Sequence, residues 1–102
     1  MWYAACLLIE SSRSPPGAEP IWEQSIRLIA ADSEDEARAK AERLGQSEGT
    51  SYLTTAGMLT WTFNRVERVY AIDTDTLTDG TELFSRFLRA SEVASLLTPF
   101  DG

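Results

Sequence analysis

The hydrophobic and polar positions along the chain fall into a few clear patterns. Residues 2 to 10, from Trp2 to Glu10, form a near-continuous apolar run. It is too short for a stable lone helix, and its length suits a central strand covered on both faces. Residues 21 to 31 alternate instead. Trp22, Gln24, Ile26 and Leu28 share one face, and Ile21, Glu23, Ser25, Arg27 and Ile29 share the other. This predicts a second strand, antiparallel to the first. Between them, residues 11 to 20 hold Ser11, Ser12, Ser14, Pro15, Pro16, Gly17 and Pro20. Proline lacks an amide donor and fixes φ, so this segment reads as a loop.

Residues 33 to 44 switch to a helical period. Ser33 is a good N-cap, and Glu36 three residues later completes a capping box. Glu34, Asp35 and Glu36 crowd the first turn, where the helix dipole favours negative charge. Glu34–Arg38, Glu36–Lys40 and Arg38–Glu42 are opposite-charge pairs at i,i+4. Ala37, Ala41 and Leu44 lie on one face, an alanine-rich stripe that lets the helix approach a sheet closely, and Gly45 is placed as the C′ residue.

After a polar stretch with Gly49, a strand is predicted over 52–55, with a turn at Ala56-Gly57. From Met58 to Asn64, Leu59, Trp61 and Phe63 alternate with Thr60, Thr62 and Asn64, which is strand chemistry. Over 66–72 the pattern puts Val66, Arg68, Tyr70 and Ile72 on one side and Glu67, Val69 and Ala71 on the other. No turn signal separates Phe63 from Val66, so one long, bulged strand is an option. Residues 83–89 fit a strand better than a helix, and a short helix from Ser91 carries Val93, Ala94, Leu96 and Leu97 inward until Pro99 ends it. The residues from 98 to 102 read as a loose tail. The fold class is α+β: a single domain with one antiparallel, curved sheet of four to five strands, packed against the 33–44 helix.

Composition narrows the chemistry. The 102 residues carry sixteen acids, nine bases and no histidine, for a net charge of -7. Lysine- and arginine-driven binding to nucleic acid or to anionic membranes is disfavoured. Without histidine, the commonest general base, the Ser-His and Cys-His nucleophile pairs and most zinc sites are absent. Cys6, the single cysteine, reads as a small buried hydrophobe. No apolar run approaches the ~20 residues of a membrane helix. The apolar start lacks the basic segment and cleavage site of a signal peptide, so the expected compartment is the cytoplasm.

Four groups of residues are candidates for function. Asp73, Asp75, Asp79 and Glu82 suggest a calcium loop, but counting from Asp73 puts Leu77 and Thr78 at ligand and glycine positions, and counting from Asp75 puts Arg86 at the last one. A regular EF-hand is excluded, and the segment reads as a solvated loop turning at Asp79-Gly80. Glu10, Glu23, Glu67 and Glu82 are the available acid–base carboxylates, and nothing in their spacing pairs them. Trp2, Trp22 and Trp61 are either core or an exposed aromatic patch. Arg65, Arg68, Arg86 and Arg89 either gather as an anion site or pair with neighbours such as Glu67 and Glu82. The chain has no glycine-rich phosphate loop.

The ordered set Trp2-Tyr3-Ala4-Ala5, Trp22-Glu23, Glu36-Ala37 with Lys40-Ala41-Glu42, Val69-Tyr70 and Asp79-Gly80-Thr81-Glu82 with Phe84-Ser85-Arg86 carries a resemblance. Over about residues 2 to 88 the chain resembles a family of small, mostly bacterial proteins of this length, catalogued as a domain of unknown function. The resemblance marks Trp22-Glu23 and the 79–82 turn as family features and brings no catalytic residue with it. The leading expectation is a non-enzymatic binding or protein-interaction module, self-associating as a homodimer through its sheet surface or an edge strand. One form of it is an acidic protein that masks a basic partner. The expected interaction surface draws on Trp2, Trp22, Trp61, Arg68, Arg86, Glu23 and Glu82, with no cofactor or metal. The alternative is a small anionic-ligand binder or minor enzyme using carboxylates and arginines in a sheet-lined pocket.

Overall fold

The computed structural model describes residues 1–17 and 19–98. The opening apolar run becomes β1, Trp2–Ser14, the strand around which the others assemble. β2, Trp22–Ala30, pairs antiparallel along one side of it, from Trp2↔Ala30 to Glu10↔Trp22. The chain then crosses one face of the sheet as α1, Glu34–Gln46, and returns as β3, Thr50–Thr54, and β4, Gly57–Ile72. β4 pairs with the whole of β1, which gives a curled antiparallel sheet in the order β2-β1-β4-β3.

β1 is longer than its apolar run. Ser11 continues the strand because its buried hydroxyl accepts the Ile21 N–H at 2.8 Å, while its own N–H reaches the Ile21 carbonyl at 2.9 Å. These two bonds close the neck of the proline-bearing loop on the β2 side, and the pairing of Ser12, Arg13 and Ser14 with Thr60, Leu59 and Met58 on β4 carries β1 on to Ser14, so the irregular part starts after Ser14 rather than at residue 11.

One face of the sheet meets α1. Tyr3, Ala5, Leu7, Ile29, Ala31 and Val66 pack against Ala37 and Ala41, with Leu44, Phe63 and Val69 around them. Ser33 caps α1 by accepting the Glu36 N–H at 3.1 Å. The reciprocal half of the box differs from the expected one: the Glu36 carboxylate takes the N–H of Asp32, at 3.3 Å, not that of Ser33. That bond, with Lys40 alongside, holds the Glu36 carboxyl below the usual carboxylate range. Of the three helical charge pairs only Glu36–Lys40 closes, at 3.3 Å. Lys40 Nζ also donates to the Ala30 carbonyl, and Arg27 meets Glu48 at 2.9 Å, so the middle of α1 and the turn that follows it are both tied to β2.

Gly45 is not a C′ residue. The helix runs on to Gln46 and ends at Ser47. Gly45 is buried inside the last turn because a Cβ there would overlap the Phe63 ring on β4. Gly45→Ala gains about 1 kcal/mol of helix propensity but overpacks the Phe63 contact, at a cost of about 1–3 kcal/mol. A net loss is expected in urea denaturation, and Gly45→Ala combined with Phe63→Leu should be more stable than Gly45→Ala alone.

β4 is one continuous strand with two register shifts against β1, between Cys6 and Leu7 and between Leu8 and Ile9. The first sits at Glu67 and turns Val66 to the α1 face beside Val69, away from the Tyr70 side where simple alternation puts it. Arg68, Tyr70 and Ile72 face the other way.

That second face is also covered, which is why Ala4, Cys6 and Ile72 are buried. Residues 73–89 run across it. Thr78 to Thr81 form a turn closed by the Thr81 N–H on the Thr78 carbonyl at 3.1 Å, with Gly80 at φ +87° in the position where a type II turn needs it. Residues 83–89 do not add a fifth strand, because side chains rather than a backbone ladder hold them. α2, Ala90–Leu97, forms as predicted but does not turn its apolar residues inward; none of them is buried. Residue 18 and residues 99–102 of the tail expected over 98–102 lie outside the described residues.

Candidate functional site

The face opposite α1 carries exposed apolar side chains of the edge strand β2. Ile26 and Leu28 project from β2 on this side, and each is about half exposed. Together with Ala4, Arg27, Ile72, Leu77 and Leu83 they line a mainly apolar groove of about 170 Å³. Its floor is the central strand, one wall is the edge strand β2, and the other is the 73–83 segment. Leu77 and Leu83 were hidden from sequence reasoning, because single apolar residues in an acidic segment look like solvated loop. The visible signal was the Trp22, Gln24, Ile26, Leu28 face of β2, which carries three large apolar residues with nothing in the chain assigned to cover them.

Next to the groove, the segment after Leu83 is anchored to β4. Tyr70 donates its hydroxyl to Glu82 at 2.8 Å. The Phe84 ring meets Tyr70 edge to face, with centroids 6.0 Å apart. The guanidinium carbons of Arg68 and Arg86 each lie 5.9 Å from the Phe84 centroid, and Arg86 reaches Glu67 at 3.8 Å. Phe84 is thus the hub of a cluster that sequence reasoning described only by its charges.

The structure brings Arg68, Arg86 and Glu82 together in this cluster. The tryptophans do not join them. Trp2 and Trp22 sit at opposite ends of the β1–β2 ladder, about 27 Å apart at roughly 3.4 Å per residue. Trp61 lies opposite Ser11 and donates its indole N–H to the Tyr52 hydroxyl at 3.2 Å. Glu23 is on β2 opposite Ile9, away from Arg68 and Arg86. Arg89 stays local: the Glu92 carboxylate accepts its backbone N–H at 2.9 Å and its Nε at 3.2 Å, which keeps Glu92 below the usual range. Arg65 donates to Asn64, whose amide donates to Glu10.

A larger, open cleft of about 510 Å³ lies between the end of α1 and the β3–β4 hairpin. Its lining, which includes Gln46, Ser51, Thr60, Trp61 and Phe63, has no ionisable side chain, so it offers no acid or base. Among the described residues no three carboxylate or thiol groups converge as a metal site. Cys6 is buried, and that burial, reinforced by Glu67, pushes its thiol above its ordinary value, so it is a poor nucleophile. No described helix is long and apolar enough to cross a membrane.

The fold is therefore a curled antiparallel sheet with a helix on one face and an anchored, non-strand segment on the other. Residues 2–85 match the family described as domain of unknown function DUF4288, and the chain belongs to that family. The match spans β1 through the Phe84 anchor and stops where the segment leading to α2 begins. No curated protein and no solved structure matches the chain.

Proposed function

We propose that this protein is a non-enzymatic interaction module that binds other protein surfaces through the face opposite α1. The observation that carries this reading is the apolar groove between β2 and the 73–83 segment, open on an otherwise acidic molecule. Apolar side chains grouped on one exposed face mark contact surfaces more often than solvent-facing decoration. β2 is also an edge strand, so its outer backbone groups are available to a partner strand. Self-association as a homodimer belongs to this reading, as does binding of a basic partner, which the net charge of -7 favours. The reading as an anionic-ligand site gains less, since Arg68 and Arg86 are engaged with Phe84 and Glu67.

Affinity capture from the native cell extract, run with the tagged chain and with its Ile26→Asp variant, tests this reading. The expected result is a stoichiometric bound protein, the chain itself or another, that the variant loses while keeping its circular dichroism spectrum. Equal capture by both chains, or none by either, would contradict it.

A further inference from the structure

The groove has two walls and a floor but no lid among the described residues, and the apolar helix α2 packs against no other described helix or strand. No residue of α2 comes within 8 Å, Cα to Cα, of any strand or of α1. Val93, Leu96 and Leu97 recur at the spacing of one helix face, with Leu96 64% and Leu97 79% exposed, and Phe87 ahead of them is fully exposed. An isolated helix this short is marginal in water and gains its stability from what it packs on. We propose that α2 of one copy seats in the groove of a second copy, reciprocally, giving a two-fold dimer with exchanged arms. The proposal rests on the reading of the groove as a contact surface and names its occupant.

One observation favours a second copy over closure onto the chain's own groove, and two more fit the arm to a groove of this kind. The root of the arm is fixed: Phe84 is held by Tyr70, Arg68 and Arg86, and Arg86 by Glu67. Between Thr81 and Thr98 there is no glycine or proline to favour a tight reversal, so a return of α2 to its own groove is disfavoured while that anchor holds.

The second observation is charge. The groove's outer rim, residues 73–82, carries Asp73, Asp75, Asp79 and Glu82 and no base. Beyond the anchored Arg86, the arm to Thr98 carries only Arg89 and Glu92, which pair with each other at 3.2 Å, so it is neutral in a chain of -7. The arm is thus a part of this chain that meets the acidic rim without like-charge repulsion.

The third is area. Each copy supplies four large exposed apolar side chains from the arm and four from the groove, and burying both sets is on the order of the ~800 Å² per partner that stable complexes hide. The exchange is isologous, so it closes at two copies and does not propagate.

The test is the solution molar mass, by light scattering, of the full chain and of Leu96→Asp and Leu28→Asp, one change on the arm and one in the groove. Both positions are exposed, so both variants should keep the wild-type circular dichroism spectrum. The expected result is a dimer for the full chain and a monomer for each variant. Oxidising an equimolar mixture of Leu28→Cys and Leu97→Cys chains should also give a cross-linked pair. A monomeric full chain, or a dimer that survives Leu96→Asp, overturns the arm exchange. So does a Leu28→Cys/Leu97→Cys double variant that closes its disulfide within one chain. Should Ile26→Asp still abolish capture of another protein while the full chain is monomeric, the groove stands as a contact surface and only its occupant here is wrong.

Discussion

Ala41→Asp is expected to leave the chain without a cooperative fold. Ala41 is fully buried on the inner stripe of α1, in the cluster formed with Tyr3, Ala5, Leu7 and Val66. That cluster contains no base to pair with a new carboxylate. The nearest cation along the helix, Lys40, is already committed to the Ala30 carbonyl and Glu36. An unpaired buried charge costs several kcal/mol even after relaxation, against a total stability of ~5–15 kcal/mol for a domain of this size. The substitution also forces α1 off the sheet, because an alanine stripe is what permits its close approach. Urea denaturation followed by circular dichroism should show a broad or absent transition. Ala41→Ser, which adds only a hydroxyl, should remain folded and cooperative, and so separate the effect of charge from that of size.

Leu7→Ala is expected to cost about 2–5 kcal/mol through lost burial and the cavity it leaves. Leu7 is among the largest fully buried side chains, at the centre of the central strand. It also sits between the two register shifts of the β1–β4 ladder, opposite Val66. The short block of Leu7–Val66 and Leu8–Arg65 pairs is what keeps the bulged part of β4 aligned, so the loss falls on packing and register together. Leu8→Ala, on the opposite face and only partly buried, should cost clearly less. The measurement is the urea midpoint of both variants with an unchanged slope. Equal losses at Leu7 and Leu8 would contradict the account.

Much of this fold is legible in the residues themselves. A continuous apolar run over 2–10 marks the central strand, because only a strand covered on both faces needs apolar side chains at successive positions. Ser33, the acidic first turn and the alanine stripe specify α1 and the face it buries. The turn at Asp79-Gly80 is readable because glycine is needed at a positive φ. What escapes depends on long-range geometry. The bulge at Glu67 reverses which side of β4 Val66 takes, and no local signal distinguishes a bulged strand from a straight one. Gly45 looks like a helix end, whereas its role is to leave room for a ring eighteen residues further on. The 83–89 segment has strand-like composition, yet Phe84 and Arg86 fasten it by side chains. α2 has the apolar spacing of a core helix but joins no core among the described residues. The groove follows the same logic. Its β2 wall is written as an alternating pattern, while its second wall, Leu77 and Leu83, appears only once the chain has folded back across the sheet.

We propose that binding takes place on the face opposite α1. Hydroxyl-radical footprinting of the chain recovered in its bound state, compared with the same chain purified and diluted, tests it most directly. The account predicts loss of oxidation at Ile26, Leu28, Leu77 and Leu83, with Trp61 and Tyr52 unchanged. Protection at Trp61 and Tyr52 with the groove leucines unchanged would move the binding surface to the β3–β4 cleft and contradict the account.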